Sequence, residues 1–354
     1  MTLVAGSYEK FIWGYKLQST GTPTLKPLFS YPAHLSTIKC VAVSGPVAVS
    51  GGADDAIKIY DLPSSSEVGS LMDHKGAVTA LSFYNLSSLA FPRNLLSGSD
   101  DGTVSIYDAD PFVHLKTIMA HKKGVNDLGI HPSGKLALTV GRDSCLAMLN
   151  LVRGRRSFYC RLDKEATIVK YDLKGEKFFM VKEDSVSIHE AEDAKLVLEM
   201  ESQKPILCAA SAMNGLLFTG GEDRNVTAWD TNTGKVAYCI EGAHSTRVKG
   251  IVVLTNRSDA IEEADDPYLV ASASSDGVIR VWDVRMAKKE NPTPLAEANT
   301  KSRLTCLAGT SLKCKLFDLF TLDFVLDFNC ALAFSSAVKR PNPGDSVANK
   351  VEEE

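Results

Sequence analysis

The sequence predicts an all-β protein assembled from one repeated unit, and three observations carry that prediction. A hairpin signature recurs along the chain, a His-bearing turn recurs upstream of it, and alternating apolar residues fill the space between. The best-preserved copy is Ser272 to Arg285, SASSDGVIRVWDVR. A run of small residues leads into Asp276-Gly277, a strong short-range hairpin signal, and an alternating strand then ends in Trp282-Asp283. Gly277 is expected to supply the positive φ of the turn. Two paired strands are marginal alone in water, so each copy needs neighbours.

Aligned on this hairpin, the copies are SGGADDAIKIYD (50–61), SGSDDGTVSIYD (97–108), TVGRDSCLAMLN (139–150), TGGEDRNVTAWD (219–230) and SASSDGVIRVWD (272–283). The turn carboxylate falls on Asp54, Asp101, Asp143, Asp223 and Asp276, and an aromatic residue or Leu follows six residues later. Upstream, Ala33-His34, Asp73-His74, Ala120-His121 and Ala243-His244 are followed four residues on by Ile38, Val78, Val125 and Val248, each opening a strand. Residues 157–190 form a degenerate unit, with Ala166 to Val169 opening a strand and Asp184 to His189 in the hairpin place. A further unit is split. Leu3 to Leu17 reads as its hairpin half, with Glu9 at the turn carboxylate and Tyr15 at the aromatic, while Arg303 to Ala308 reads as its second strand. Each unit thus holds four strands at a period of about 40 to 50 residues.

The dipeptide, turn Asp and His recurring in register resemble the WD-repeat family, which implies a β-propeller. The expectation is a seven-bladed propeller over residues 1–312. Its closing blade is shared between N-terminal (3–17) and C-terminal (303–312) strands, two from each end, so that no free edge remains. The family also implies that each His pairs with its turn Asp inside a network of a strand hydroxyl and the Trp. The pairs are His34–Asp54, His74–Asp101, His121–Asp143 and His244–Asp276. We read the hydroxyl position at Cys40, Ala80, Asp127 and Gly250, and Trp stands at the aromatic position only in Trp229 and Trp282, so the network is expected to be incomplete.

At 354 residues, 44% hydrophobic and 23% charged, the composition suits a soluble globular protein with a large core. A net charge of −4 gives no global field for nucleic acid. The 8 cysteines form no CxxC pair and none sits beside a His at metal-ligand spacing, so they read as reduced, buried thiols with no metal. The start enters strand-like sequence at once, which reads as an intracellular protein without a signal peptide. No phosphate loop, GxSxG or HExxH occurs, and the paired acids Asp54-Asp55 and Asp100-Asp101 are turn residues. Neither an enzyme nor a cofactor is expected. Leu316 to Phe334 is strongly apolar, yet Asp318, Asp323 and Asp327 would each cost ~2.5–3.5 kcal/mol at a membrane helix centre, so no membrane contact is expected. Residues 313–354 read as a poorly ordered tail.

Binding is therefore the function to look for. By analogy with propellers, the residue before each turn Asp and those beside the opening β-branched residue line a partner face. Here these are Tyr8, Asp100, Arg142 and Glu222, with Lys39, Asn126, Arg247 and Lys249. Basic runs are usually solvated loop charge; Arg153, Arg155 and Arg156, packed around Gly154, are the best candidates for contact with RNA phosphates. Trp282-Asp283-Val284-Arg285 also matches the W-D-x-R pattern of WD-repeat substrate receptors of cullin–RING ubiquitin ligases, in which the Arg docks on an adaptor. That makes Arg285 a second, minority candidate, because Arg after this dipeptide is common in repeats.

A narrower resemblance covers about residues 1–315. LVAGSYEKFIWGYKL, YPAHLSTIKCVAVSGPVAVSGGADDAIKIYDL, LLSGSDDGTVSIYD and MAHKKGVNDLGIHPSGKLALTVGRDSCLAMLNLVRGR are similar to the p21-activated-kinase-interacting WD-repeat proteins and their fungal MAK relatives. The resemblance implies a non-enzymatic nucleolar scaffold for large-ribosomal-subunit assembly and pre-rRNA processing, expected to be monomeric, with pre-ribosomal factors as partners. In animals it also implies binding and inhibition of a PAK-type kinase. Relatives generally end in a lysine-rich tail. Here Leu316–Phe334 takes that place, so a cytoplasmic location stands beside the nucleolar and nuclear one.

Overall fold

Every inner strand opens on a branched or aliphatic residue, and the chain pairs these strands into seven four-stranded antiparallel sheets. The computed structural model describes residues 1–18, 23–86, 91–212, 214–254, 269–286 and 292–309. The stretch 256–268 and the segment 313–354 lie outside them. The sheets are the blades of a propeller. Their inner strands are Ile38–Ser44, Val78–Tyr84, Val125–Ile130, Ile168–Tyr171, Ile206–Ser211, Val248–Leu254 and Leu304–Gly309, for blades 1 to 7. Within blade 1 the second strand, Val47–Gly52, is buried throughout, whereas the outer strand, Ser66–Leu71, is largely exposed.

The apolar core lies between blades rather than within them. Leu254, Ala271 and Ile279 of blade 6 pack on Leu3, Tyr15 and Leu304 of blade 7. Val4 and Ile12 of blade 7 pack on Ile38, Ala48 and Tyr60 of blade 1. Equivalent clusters join the other consecutive blades, including the degenerate blade 4 through Phe178 and Met180 on one side and Phe179 and Val181 on the other. Each fully buried aliphatic side chain contributes roughly 1.5–3 kcal/mol, and nearly all of that requires the neighbouring blade.

Ring closure departs from the expectation. Blade 7 takes three strands from the N-terminal end, Thr2–Ser7, Phe11–Gln18 and Thr24–Pro32, and one, Leu304–Gly309, from the C-terminal end. The division is three plus one, not two plus two. Thr24–Pro32 reads in sequence as a link to blade 1, but it pairs back on the preceding hairpin as the outer strand. Pro27 and Pro32 are tolerated there because an edge strand does not need every N–H.

The hairpin turns repeat one backbone conformation. Gly277 has φ 86° as expected, and Gly102 has φ 83°. At the matching position four other blades place Lys10, Asp55, Ser144 and Arg224, all at positive φ without being glycine, and the shorter turn of blade 4 puts Glu183 at positive φ in its first position. The two glycines are held for space as well: a Cβ on Gly277 would stand 2.8 Å from the Ser302 carbonyl oxygen.

Three of the four His–Asp pairs close as hydrogen bonds, and the hydroxyl side of the network is present in all four. His34 Nδ1 lies 2.8 Å from Asp54, its Nε2 lies 2.7 Å from Ser50 Oγ, and Ser50 in turn meets the Tyr60 hydroxyl at 2.8 Å. His121 sits between Asp143 at 2.9 Å and Thr139 at 3.0 Å, and Tyr159 donates to Asp143 from the outer strand. His74 reaches Ser97 at 2.6 Å and Asp101 at 3.4 Å. His244 meets Ser272 at 2.8 Å, and Trp282 donates to the same hydroxyl, but Asp276 stands 3.7 Å away, too far for a hydrogen bond. The hydroxyl therefore comes from the second strand (Ser50, Ser97, Thr139, Ser272), not from Cys40, Ala80, Asp127 and Gly250 of the inner one. Tyr60 takes the place of the Trp. The second-strand side chain reaches the imidazole from the same face as the aromatic, which lies diagonally across from it on the third strand.

Electrostatics follow from burial. Desolvation pushes the His244 imidazole down to about 4, against a partial opposing pull from Asp276, and lowers His74 and His121. Burial works to raise the carboxyls of Asp54, Asp101, Asp143 and Asp276, but hydrogen bonds outweigh it and hold each below its ordinary range. For Asp54 the largest of these bonds comes from the Leu35 N–H.

Two outcomes are expected. Gly277→Ala should destabilise the fold by about 1–3 kcal/mol, read from urea unfolding followed by Trp fluorescence, because it adds left-handed strain and a clash at once. Stability should also fall with acidity. A neutral buried His244 stabilises the fold fully above the ordinary imidazole value of 6.5, and this is lost as pH falls from there to about 4, with the lowered carboxylates lost below that. The loss from His244 is of order 3 kcal/mol, visible as a lower urea midpoint at pH 4.5 than at pH 7. An unchanged midpoint would show that His244 is not buried neutral.

Candidate interaction face

Antiparallel order puts the His turns and the hairpin turns at one end of every blade, and the remaining loops at the other. Tyr8, Lys39, Asp100, Asn126, Arg142, Glu222, Arg247 and Lys249 all belong to the first end, the His-turn face. Arg153, Arg155, Arg156 and Arg285 begin or follow loops at the opposite end. The structure thus separates two groups of candidates that the sequence leaves undivided.

A repeated irregularity builds the centre of the His-turn face. In six blades the inner strand shifts register at its second residue against its neighbour. Such a bulge re-aims one side chain. The bulged residues are Thr305, Lys39, Thr79, Asn126, Leu207 and Lys249, and blade 4 pairs without a shift. The short polar ones stitch adjacent blades together. Thr305 Oγ1 donates to Ile38 O at 2.7 Å, Thr79 Oγ1 to Val125 O at 2.6 Å, and Asn126 Nδ2 to Ala166 O at 2.9 Å and Glu165 at 2.8 Å. Asn126 is therefore occupied by the fold rather than offered to a partner. Thr79 and Thr305 were not singled out in sequence, although each directly follows the residue that opens its inner strand.

Charges on this face divide into paired and unpaired. Two candidates find each other, with Arg142 Nη2 2.8 Å from Asp100. Arg303 pairs with Glu9 at 3.1 Å and lays its guanidinium 4.1 Å from the centre of the Tyr8 ring, which is 53% exposed. Among the described residues, Lys39, Arg247 and Lys249 have no carboxylate within 4.0 Å. Glu222 is exposed at the edge of this group. Burial lowers the Lys249 ammonium and the positive charge of Arg247 pushes it the same way, against opposing pulls from Cys208 and Glu222 that exceed the small push of Lys39.

At the opposite end the arginines do not act as one unit. Arg156 donates to Ala120 O at 2.7 Å and stacks 4.4 Å from the Tyr159 ring centre, so the fold uses it. Arg153 and Arg155 are exposed. Arg285 turns its fork onto Asp283, two residues back, at 3.0 and 2.7 Å, which occupies the bidentate geometry an adaptor carboxylate would need. A cavity of about 340 Å³ opens at this end between blades 4 and 5, lined by Leu173, Phe178, Leu216 and Asn232 among others.

Comparison with known proteins agrees with this architecture. The WD domain, G-beta repeat, matches residues 25–61, 65–108, 112–148 and 260–283. A human protein named p21-activated protein kinase-interacting protein 1 is 39% identical over 314 residues, covering 87% of this chain and 76% of that protein. The chain belongs to this family of p21-activated-kinase-interacting WD-repeat proteins. Fungal relatives are more distant: Protein MAK11 of Saccharomyces cerevisiae is 29% identical, covering 86% of this chain and 82% of its own. Shk1 kinase-binding protein 15 of Schizosaccharomyces pombe is 27% identical, covering 80% and 77%. Family membership runs through the blades described here, since the matched share of this chain is close to the span of the propeller.

If Arg156 serves the fold and Arg153 does not, Arg156→Ala should lower the urea midpoint, by about 1 kcal/mol for a lost hydrogen bond and ring stack, whereas Arg153→Ala should leave it unchanged. Equal effects would overturn the division.

Proposed function

We propose that this chain is a non-enzymatic scaffold that binds a PAK-type protein kinase and restrains its activation. The observation that carries the reading is that relatives from human and fission yeast, matched over 76% and 77% of their lengths, are named for kinase interaction. The ring supplies a binding surface of mixed polarity with exposed Tyr8 and unpaired cations at its centre. Its titratable groups pair into blade-holding networks rather than converging on a substrate.

The likeness to the MAK-type relatives supports a second role, as a nuclear and nucleolar scaffold for pre-ribosomal factors during large-subunit assembly, with rRNA contact through Arg153 and Arg155. The ubiquitin-ligase reading through Arg285 is weaker, because that side chain is already engaged by Asp283.

Titrating the purified chain into a p21-activated kinase and its activating GTPase should move kinase activation to higher GTPase concentration. An unmoved activation curve would overturn the kinase reading. Depleting the protein should accumulate large-subunit rRNA precursors and lower the large-to-small subunit ratio; unchanged precursors and ratio would overturn the second role.

A further inference from the structure

The outer strands carry a repeated irregularity of their own. In six blades the outer strand holds one residue more than the third strand it pairs with, and that residue bulges out of the ladder. The bulged residues are Leu28, Val68, Leu115, Ser157, Val197 and Ala237, in blades 7, 1, 2, 3, 4 and 5. A bulge disrupts pairing locally and re-aims a side chain. Five of these side chains are apolar. Ser157 alone places a hydroxyl at the bulge, and it is exposed.

The residues on either side fix Ser157 in this position. Arg156 is tied to Ala120 O and to the Tyr159 ring, and Phe158 packs on the cluster between blades 3 and 4. Ser157 Oγ donates to Met148 O at 3.1 Å, an exposed neutral bond that water can replace. Arg155–Arg161 is the last strand of its sheet, so one side of it has no strand partner. An extended segment with a free side can enter a groove that binds peptides as strands. The residues upstream are also distinctive. Arg155-Arg156 is the one pair of adjacent arginines in the chain, and Arg153 stands two residues before it. Arg153 and Arg155 are exposed and, among the described residues, have no carboxylate within 4.0 Å.

We propose that Ser157 is a phosphoacceptor for an arginine-directed serine/threonine kinase and is modified in the folded ring. Such kinases select substrates by carboxylates that pair with guanidinium groups upstream of the acceptor, and Arg155 and Arg153 offer two that the fold does not use. In the step, Ser157 Oγ attacks the γ-phosphorus of ATP. The bond from that phosphorus to the β,γ-bridging oxygen breaks, ADP leaves, and the hydroxyl proton passes to the catalytic carboxylate of the kinase. The product carries a charge near −2 beside Arg155 and Arg153 and offsets theirs, so modification removes the positive character of this edge. The acceptor role goes beyond the restraint of activation proposed above and does not require it. The kinases below are already active and need no GTPase, so either reading can fail alone.

The test incubates the purified full chain with magnesium ATP and, separately, three kinases, and locates phosphate by tandem mass spectrometry. Two are arginine-directed: the active catalytic domain of a p21-activated kinase and the catalytic subunit of cAMP-dependent protein kinase. The third, casein kinase 2, is acid-directed. At least one of the first two should modify Ser157, and casein kinase 2 should not. Arg155→Ala should slow the modification at least tenfold. Gly277→Ala, whose loss of stability raises the unfolded population at least about fivefold, should leave the rate within about twofold. Unmodified Ser157 with both arginine-directed kinases, equal modification by casein kinase 2, or an unchanged rate in Arg155→Ala would each overturn the proposal. So would a rate that climbs with the unfolded population in Gly277→Ala, since the acceptor would then be the unfolded chain. The comparison of kinases uses the unaltered chain, so it decides the matter even if a variant folds poorly.

Discussion

No blade of this protein has a core of its own, and everything else depends on that. The buried faces of each sheet are matched only by the sheets beside it, as Leu3 and Tyr15 are matched by Ile279 and Leu254. Stability is therefore a property of the closed ring. The C-terminal strand Leu304–Gly309 completes it by pairing with Thr2–Ser7, and Arg303, just before it, grips Glu9. Remove that strand and an inner edge is exposed at the channel, together with the apolar layers on both of its sides.

Given that ring, the polar interior has two separate jobs. The His–Asp–hydroxyl networks hold the turns of a blade to its strands, using imidazoles that burial pushes toward neutrality (His74, His121, His244) and carboxylates that hydrogen bonds hold ionised against burial. The bulges hold blade to blade at the channel. Thr79, Asn126 and Thr305 do so directly, each bonding a carbonyl at the start of the next inner strand or in the turn just before it. Where Lys replaces a short polar residue at this position, the stitch is lost and a cation is presented instead. Variation at one repeated position thus converts a structural device into a surface with chemistry.

Much of the fold was legible because it repeats. The Asp–Gly turn, the six-residue offset to the aromatic and the His four residues before a strand specify blade after blade, and even the degenerate fourth unit fell in place. What the sequence conceals is which segments pair and which side chains reach one another. Thr24–Pro32 looks like a linker because its partner strand lies upstream. The hydroxyls of Ser50, Ser97, Thr139 and Ser272 sit within small-residue runs that read as close-packing spacers, so their hydrogen bonding was missed. Lys10, Asp55, Ser144, Glu183 and Arg224 give no sign of left-handed backbone, since only glycine announces it. The interaction face was half legible: positions could be named from the repeat, but not that Asp100 and Arg142 cancel, that Asn126 is consumed by its neighbour, or that the arginines lie at the other end.

The closure of blade 7 sets an order on the birth of the protein. Glu9 and Arg303 are partners separated by 294 positions in the chain. A ribosome adding about 5–20 residues per second needs roughly 15–60 s to cover that distance. Throughout it the first hairpin, Thr2–Ser7 with Phe11–Gln18, stands finished on one side and unpaired on the other. Six blades must assemble against a partner that is still an open edge. The nascent chain thus spends most of its synthesis as an incomplete ring, open to chaperones and to mispairing until the last strand arrives.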